Sequence, residues 1–579
     1  MKSIKDFLKN LKFTWQFAKN DKKLIILDIF SYIIWVTISI LMPILSAKII
    51  VSLTSNNYEQ ILYIAIVILI VEFIDYFFNY VSRITNIHIY RNTLAKLEIE
   101  LGKNILKLEN KCLDDNGSGL FIQRITNDTS RLAEVFEALL EELSGVMQYI
   151  GILIALFTIN KIIFIYCLLM IFILVRIDLI RTNKRNEDDK VQRKSQEKLF
   201  SFIGELVRGA RDIKMLNSEK DFVNELETII YDNDNKKLIM QKRSWTYQLF
   251  SNFTINIFEF TLIIILIIFM KNNLIEAALS LVIYNYFNRL EWCSWIAGNM
   301  LDYIKEFNLS SDRINAIINS NSFKKEHFGT KHIDSVNGNF EFKNVSFSYD
   351  KNKVLNDLSF KINANETVAF VGKSGAGKTT IFNLLCKMYD INKGEITIDG
   401  ININELDKDS IRGNITIISQ NPYIFNMSIK DNLRLVKSNV TDKEIKQACK
   451  IACLDEFIHT LPDKYDSIIG EGGVNLSGGQ KQRLAIARAL IQKTKIILFD
   501  EATSALDNET QEKIQTAIEN MKKDYTILII AHRLSTIVNA DHILFLNNGK
   551  IEATGTHKEL LKTSASYKKL YESELSKHK

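Results

Sequence analysis

Six long runs of mostly apolar residues, at 24–50, 61–80, 132–159, 162–180, 250–270 and 274–296, set the pattern of the first half of the chain. Each is near or above the ~20 residues that carry a helix across ~30 Å of hydrocarbon. Six transmembrane helices are therefore predicted, with both ends of the set on one side of the bilayer. The joins between runs one and two, three and four, and five and six are short and weakly charged, with Lys48, Lys161 and Lys271 among them. The N-terminus and the stretches 83–131 and 181–243 are rich in Lys and Arg, which assigns them to the cytosolic face. Both stretches keep a helical apolar period up to the neighbouring runs, so they read as the same helices prolonged into the cytosol. Each is expected to break at its tip, at 112–121 (C-L-D-D-N-G-S-G-L-F) and at 207–214 (V-R-G-A-R-D-I-K). Residues 1–23 interleave lysines with Phe7, Leu8, Leu11, Phe13, Trp15 and Phe17, the pattern of a basic amphipathic helix on the inner membrane surface. No small-residue cleavage site follows the first apolar run, so no cleavable signal peptide is expected.

The pattern changes after residue 317. Residues 318–338 are polar and read as a linker, and 339–579 alternate short apolar runs with helical stretches. Strands are expected near 340–349, 366–372, 495–499 and 525–531, helices at 378–387 and 479–492, and a helical insert from about 421 to 478. The chain thus reads as an α-helical membrane domain (24–317) followed by an α/β domain (339–579) with a helical subdomain.

Composition agrees with that division. Of 579 residues 47% are hydrophobic, yet the second half carries ordinary soluble-domain charge, so the apolar excess belongs to the first half. The net charge of +6 comes from basic residues scattered through the polar segments, which fits a positive-inside bias and not a nucleic-acid partner. None of the six cysteines forms a C-x-x-C, and Cys449 and Cys453, one helical turn apart, have no further ligands in view. They read as buried small hydrophobes.

The chemistry is concentrated at V-G-K-S-G-A-G-K-T-T, residues 371–380, which matches G-x-x-x-x-G-K-[ST] with Gly372, Gly377, Lys378 and Thr379 in register. Glycines let backbone N–H groups, including those of Lys373, Ser374, Gly375, Ala376 and Thr380, turn onto phosphate oxygens. Lys378 adds a point charge and the Thr379 hydroxyl suits Mg²⁺. With a strand before and a helix after, the phosphates of ATP would sit at a helix N-terminus. The strand I-I-L-F-D-E, 496–501, ends in two carboxylates. That arrangement suits a metal-facing Asp500 and a Glu501 placed to polarise water.

Between these lies L-S-G-G-Q, 476–480. With this pentapeptide in this order, the chain resembles the ATP-binding cassette (ABC) family, as a half-transporter of the type IV exporter kind with fused membrane and ATPase domains. The resemblance covers essentially the whole chain. It implies that Tyr349 stacks on adenine and that Gln420 lies near Mg²⁺ and the attacking water. It also implies that Ser477, Gly478, Gly479 and Gln480 close on the γ-phosphate held by a second subunit, that 504–507 with Asp507 forms the D-loop, and that His532 is the switch histidine. The regions at 112–121 and 207–214 resemble coupling helices. Residues 1–23 leave no room for the N-terminal peptidase domain of some peptide exporters.

Ionisable residues inside the runs are costly and therefore informative. Asp28, Asp75, Asp178 and Glu291 fall toward the cytosolic ends, within reach of water. Glu72 and Glu259 sit about 16 Å in from the outer ends at ~1.5 Å per residue. With Phe73, Tyr76, Phe77, Tyr284, Tyr286 and Trp292 they read either as an amphipathic cavity for cationic substrates or as interhelical hydrogen-bonded pairs with aromatic packing.

The expectation is a multi-pass protein of the cytoplasmic membrane, with its nucleotide-binding domain and both termini cytosolic. A second half-transporter chain, the same or different, is the expected partner, because one chain's cradle needs a signature from another. The leading function is ATP-driven export of a drug, lipid or peptide. The rivals are uptake of a metal chelate and a regulatory membrane ATPase without transport.

Overall fold

The computed structural model describes residues 2–55, 57–291, 293–319, 322–350, 352–470, 473–500, 525–530 and 538–577. Contacts divide the chain into two units: Met1–Lys107 with Asn116–Phe323, and Leu108–Asp115 with Lys324–Lys579.

The first unit is helical. Its elements are α1 (Lys2–Ala18), α2 (Lys22–Thr54), α3 (Tyr58–Ile105), α4 (Asn110–Gln123), α5 (Thr129–Ala133), α6 (Val135–Ile159), α7 (Lys161–Met215), α8 (Glu219–Lys271), α9 (Ala277–Leu290) and α10 (Cys293–Ile318), the first turns of α4 belonging to the second unit. Among the described residues five helices are long and apolar enough to cross a membrane. The sixth expected run lies on α9 and the start of α10, either side of Trp292, which is outside the described residues. The prolongation read from the charged stretches is present: α3, α7 and α8 have 48, 55 and 53 residues. Asparagines start two of the hairpin returns, Asn57 accepting from Gln60 N and Asn160 from Ile162 N and Ile163 N.

One face of each long helix is packed and the rest is left to lipid. On α7 the buried residues Ile163, Cys167, Met170 and Leu174 recur every three or four positions, while Ile162, Ile165, Leu169 and Phe172 between them are exposed. They meet Leu262 and Leu266 of α8 and Ile283, Phe287 and Leu290 of α9. The packed face of α2 includes Ser31, Ser39, Pro43 and Ala47, small residues that let helices approach where no hydrophobic force separates them from lipid.

Three expectations are corrected here. The second break does not fall within 207–214, because α7 runs through Gly209 to Met215. The chain turns at 216–218 instead, where Asn217 takes a positive φ of 53°. The first break does fall in its expected stretch, at Gly117 with φ 67°. Asp28 and Asp178 do not reach water: they are 0% and 5% exposed, with Asp28 accepting from Ser82 and Asp178 paired to Arg181 at 2.5 Å. The residues around Glu72 and Glu259 do not form one cavity lining within the chain, and Glu259 takes the other reading, an interhelical hydrogen-bonded pair. Tyr284 donates to Glu259 at 2.7 Å and Tyr286 to the Ile40 carbonyl at 2.8 Å, as helix-joining hydrogen bonds. Glu72, Phe73, Tyr76 and Phe77 lie on the exposed side of α3. The amphipathic α1 is present, and the face it buries carries Phe7, Asn10, Thr14 and Ala18, with Phe7 against Phe307 and Asn10 donating to Asn308 at 3.0 Å.

The second unit is α/β. Strands β1 (Phe340–Tyr349), β2 (Asn352–Ile362), β4 (Lys393–Ile398) and β5 (Ile401–Asn402) form one sheet in the order β2-β1-β4-β5. The central sheet has the order β12-β11-β3-β10-β9-β6, built from β3 (Thr367–Gly372), β6 (Ile415–Ile418), β9 (Ile496–Asp500), β10 (Thr526–Ile530), β11 (His542–Asn547) and β12 (Lys550–Gly555). All its pairs are parallel except β11–β12. A short ribbon pairs β7 (Met427–Ser428) with β8 (Ile468–Ile469). Being parallel, the central sheet buries both faces. Val368 and Phe370 of β3 point into the core shared with β1 and β2, where Phe342 stacks on Phe360 and Phe360, Phe370 and Phe382 meet edge-on in series, while Ala369 and Val371 face Leu560 and Tyr567. On β9, Ile496 and Leu498 join that first core, and Ile497 and Phe499 pack on the helical subdomain.

Candidate nucleotide site

The cradle begins where β3 ends. Isoleucine, leucine and phenylalanine partners hold β3 between β11 and β10, and the chain leaves the sheet at Gly372 into α11 (Lys378–Leu385). In a parallel sheet this crevice outside the carboxyl ends of the strands is where ligands bind. Gly377 starts α11 with φ 98° and no side-chain cap. A Cβ there would come within 2.6 Å of Leu355, so the position needs glycine for its backbone and for its closeness to β2. The first turn of α11 thus has no side-chain cap, and a helix start of this kind favours anions.

Lys378 is 6% exposed and folds back on the loop, its Nζ donating to the carbonyls of Gly372 (2.8 Å) and Lys373 (3.0 Å). The sheet brings the second half of the chemistry beside it. β10 lies between β3 and β9, with Ile530 opposite both Phe370 and Asp500, so the end of β9 lies two strands from the cradle, roughly 10 Å across. Thr379 Oγ1 donates to Asp500 Oδ1 at 3.4 Å, joining residues 121 apart in sequence. Glu501, Asp507 and His532 lie outside the described residues.

The signature stands at the start of another helix, α16 (Gly478–Gln492), preceded in the subdomain by α13 (Ile429–Arg434), α14 (Asp442–Ile451) and α15 (Asp455–Thr460), with α12 (Lys408–Arg412) packed on the first core. Ser477 caps it: Gln480 N donates to Ser477 Oγ at 3.3 Å, and Ser477 N to Gln480 Oε1 at 2.8 Å, the reciprocal box its spacing allows. Gln420 is exposed just after β6, and its carbonyl accepts from buried Gln482 of α16 at 3.3 Å. Two residues absent from the sequence reading fix this region. Asn432, 0% exposed, donates to the carbonyls of Phe425, Met427 and Ser428. Arg488 of α16 reaches Asn432 Oδ1 (2.6 Å) and the Tyr423 carbonyl (3.0 Å), and burial holds its guanidinium below the ordinary arginine range. The stretch after Gln420 is therefore tied to the signature helix.

Tyr349 ends β1 in a cavity of about 350 Å³. Its ring meets Phe347 edge-on at 4.8 Å and Tyr389 at 5.2 Å. Tyr389 donates to Asp114, and Lys111 pairs with Asp350, so Leu108–Asp115 forms one wall of this cavity. Burial, and then the bond to Asp114, push the Tyr389 phenol above its usual range. The signal for Tyr389, an aromatic a few residues beyond α11, was too common a feature to single out.

Long lipid-facing helices joined to a P-loop α/β unit define a multi-pass membrane protein with a nucleotide-binding domain. The family models agree: that for the ABC transporter transmembrane region matches residues 25–290, and that described as ABC transporter matches 355–504. The chain belongs to the ABC transporter family, as both modules fused in one polypeptide. It is 47% identical over 251 residues to an ATP-dependent lipid A-core flippase of Haemophilus influenzae (strain 86-028NP), covering 43% of each chain. It is 45% identical over 249 residues to a putative multidrug export ATP-binding/permease protein of Staphylococcus aureus (strain NCTC 8325 / PS 47), again 43% of each. These matches thus span less than half the length of those relatives. An uncharacterized ABC transporter ATP-binding protein of Bacillus subtilis (strain 168), YfiC, is 29% identical over 99% of this chain and 95% of its own. The fold is that of a bacterial Atm1-family ABC exporter solved with ATP bound, at a TM-score of 0.82 and 23% identity, over 96% of this chain and 98% of that one.

Proposed function

We propose that this chain is one half of a dimeric, ATP-driven exporter that moves a hydrophobic or amphipathic molecule, a drug, lipid or peptide, across the cytoplasmic membrane. The observation that supports it most directly is the convergence of Lys378, Thr379 and Asp500 at the carboxyl edge of the central sheet, in a chain whose other unit is built from lipid-facing helices. The names of the flippase and multidrug-export relatives favour an apolar cargo. Functionally the chain divides into an elbow helix (1–23), a membrane domain (24–317), a linker (318–338) and the ATPase (339–579), with the ATPase and both termini cytosolic.

In this reading the phosphates lie on the backbone N–H groups of 372–380 while Lys378 exchanges its loop carbonyls for the β- and γ-phosphates. Tyr349 carries the adenine. A hydroxyl and a carboxylate meeting at 3.4 Å are the hard oxygen donors that suit Mg²⁺, so Thr379 and Asp500 would hold it, with Gln420 beside them. The bound ion supplies neutralisation of charge developing on the phosphates. Ser477, Gly478, Gly479 and Gln480 of a second copy complete the pocket, with Asp507 at the junction. Glu501 polarises the attacking water and His532 steadies the γ-phosphate. Both half-sites are intact in this sequence, which favours a homodimer over pairing with a different chain. ATP closes the dimer, and hydrolysis with release resets the membrane helices.

The test is Glu501→Gln in the full chain reconstituted in lipid. ATP binding is expected to persist, steady-state hydrolysis to fall by about 100-fold or more, and a closed dimer to accumulate. Normal turnover in that variant removes Glu501 from its role. ATP hydrolysis by the wild type without vectorial flux into inverted vesicles, across a panel of lipophilic drugs and lipids, overturns export.

A further inference from the structure

A polar cavity of about 260 Å³ lies in the membrane unit where α2, α3 and α6 meet, unconnected with the nucleotide chemistry. Tyr32 and Trp35 of α2, Arg83 and Asn86 of α3, and Glu137 and Glu141 of α6 line it. The serine hydroxyls nearby are already committed: Ser31 donates to the Leu27 carbonyl, Ser144 to the Glu141 carbonyl, and Ser82 to Asp28 Oδ1 at 2.5 Å. Arg83 donates through Nε to Asn79 at 3.0 Å.

Two deeply buried acceptors are left over. Asn86 is 5% exposed and its Oδ1 has no hydrogen-bond partner; Asp28, with which its side chain interacts, is 0% exposed and has no partner for Oδ2. Buried acceptors are rarely orphaned, and each costs free energy until a donor arrives. The charge of the lining is unbalanced as well, since Glu137 and Glu141 stand against the guanidinium of Arg83, with Asp28 buried behind Ser82. Water in the cavity would supply donors but not neutralise that excess at a membrane boundary. A ligand that satisfies both features carries N–H donors and positive charge. The aromatic wall of Tyr32 and Trp35 suits an apolar body and the face-on approach of a cation.

We infer that the cavity between α2, α3 and α6 is a binding site for a protonated amine carrying an apolar body. The ammonium takes Asn86 Oδ1 and the field of the carboxylates, and the body rests on the two rings. If that amine is also cargo, the assignment rests on the export reading; binding itself does not.

The experiment uses full-length protein in lipid nanodiscs without nucleotide, with labelled 2-phenylethylamine, charged at neutral pH, as the probe. Saturable binding is expected, with the neutral isostere 2-phenylethanol competing about tenfold or more weakly. Glu137→Gln combined with Glu141→Gln, and separately Asn86→Ala, should each weaken the amine by about tenfold while ATP affinity stays at the wild-type value. The inference is overturned by no saturable binding up to about 10 mM, by equal competition from amine and alcohol, or by variants that bind both ATP and amine normally. Displacement by millimolar Na⁺ or K⁺ overturns it too, since it would make the occupant a metal ion. Where a variant fails to bind ATP, the wild-type competition decides alone. Because ATP is absent, a negative result leaves the proposed ATPase mechanism standing, and loss of flux leaves this site standing.

Discussion

Two glycine-containing turns in the second unit each lead into a helix, and they treat the helix start in opposite ways. At α11 the capping position is Gly377, with positive φ and no side chain to offer, so no side chain caps the first turn. At α16 the capping position is Ser477, whose hydroxyl and backbone N–H are both engaged with Gln480. The first turn is built to receive an anion from outside, and the second is complete by itself. A complete cap costs little to present on a surface, which is what a segment expected to meet another subunit's nucleotide requires.

That contrast can be broken most severely at Lys378. Replacing it with alanine removes the charge that folds back on the turn, and ATP affinity of the purified full chain should drop by roughly 10- to 150-fold, the worth of a charged hydrogen bond. Equal affinity by calorimetry would mean that the open helix start does not hold the phosphates. Gly377→Ala is expected to be next. A Cβ meeting Leu355 at 2.6 Å on a backbone with φ 98° should cost about 1–3 kcal/mol of stability and weaken ATP binding with it. A thermal midpoint and nucleotide affinity both unchanged would contradict the close approach to β2. The smallest effect on the isolated fold is expected from Ser477→Ala, about 1 kcal/mol for a lost cap. Its sharpening value lies in a split: ATP affinity unchanged, but ATP-induced dimer closure and turnover reduced. If affinity for the first nucleotide falls instead, Ser477 acts within its own chain.

Much of this was legible because it depends on local pattern. The glycine spacing of 372–378 and the carboxylate at the end of an apolar strand each fix their own geometry, and both lie at the carboxyl edge of the central sheet. The errors have physical sources. Gly209 suggested a break, but a glycine costs only about 1 kcal/mol inside a helix. The long packed helix α7 absorbs it, and Asn217, which tolerates a positive φ, makes the turn. Asp28 sits about one turn from the start of its apolar run, a position that suggested water, and yet Ser82 from α3 closes over it. Tyr389 and Arg488 went unnoticed because neither belongs to a local motif.

The sequence alone determined the division into membrane and nucleotide-binding parts, the phosphate cradle and the elongated helices, since these follow from periodicity and residue type over a few turns of chain. Only the tertiary structure decided that Asp500 meets Thr379 across 121 residues, that Asp28 is sealed behind Ser82, and that Tyr389 stands against Tyr349. Such pairings arise from which faces of distant elements pack together, and packing is a property of shape and complementary volume that no single stretch of chain carries.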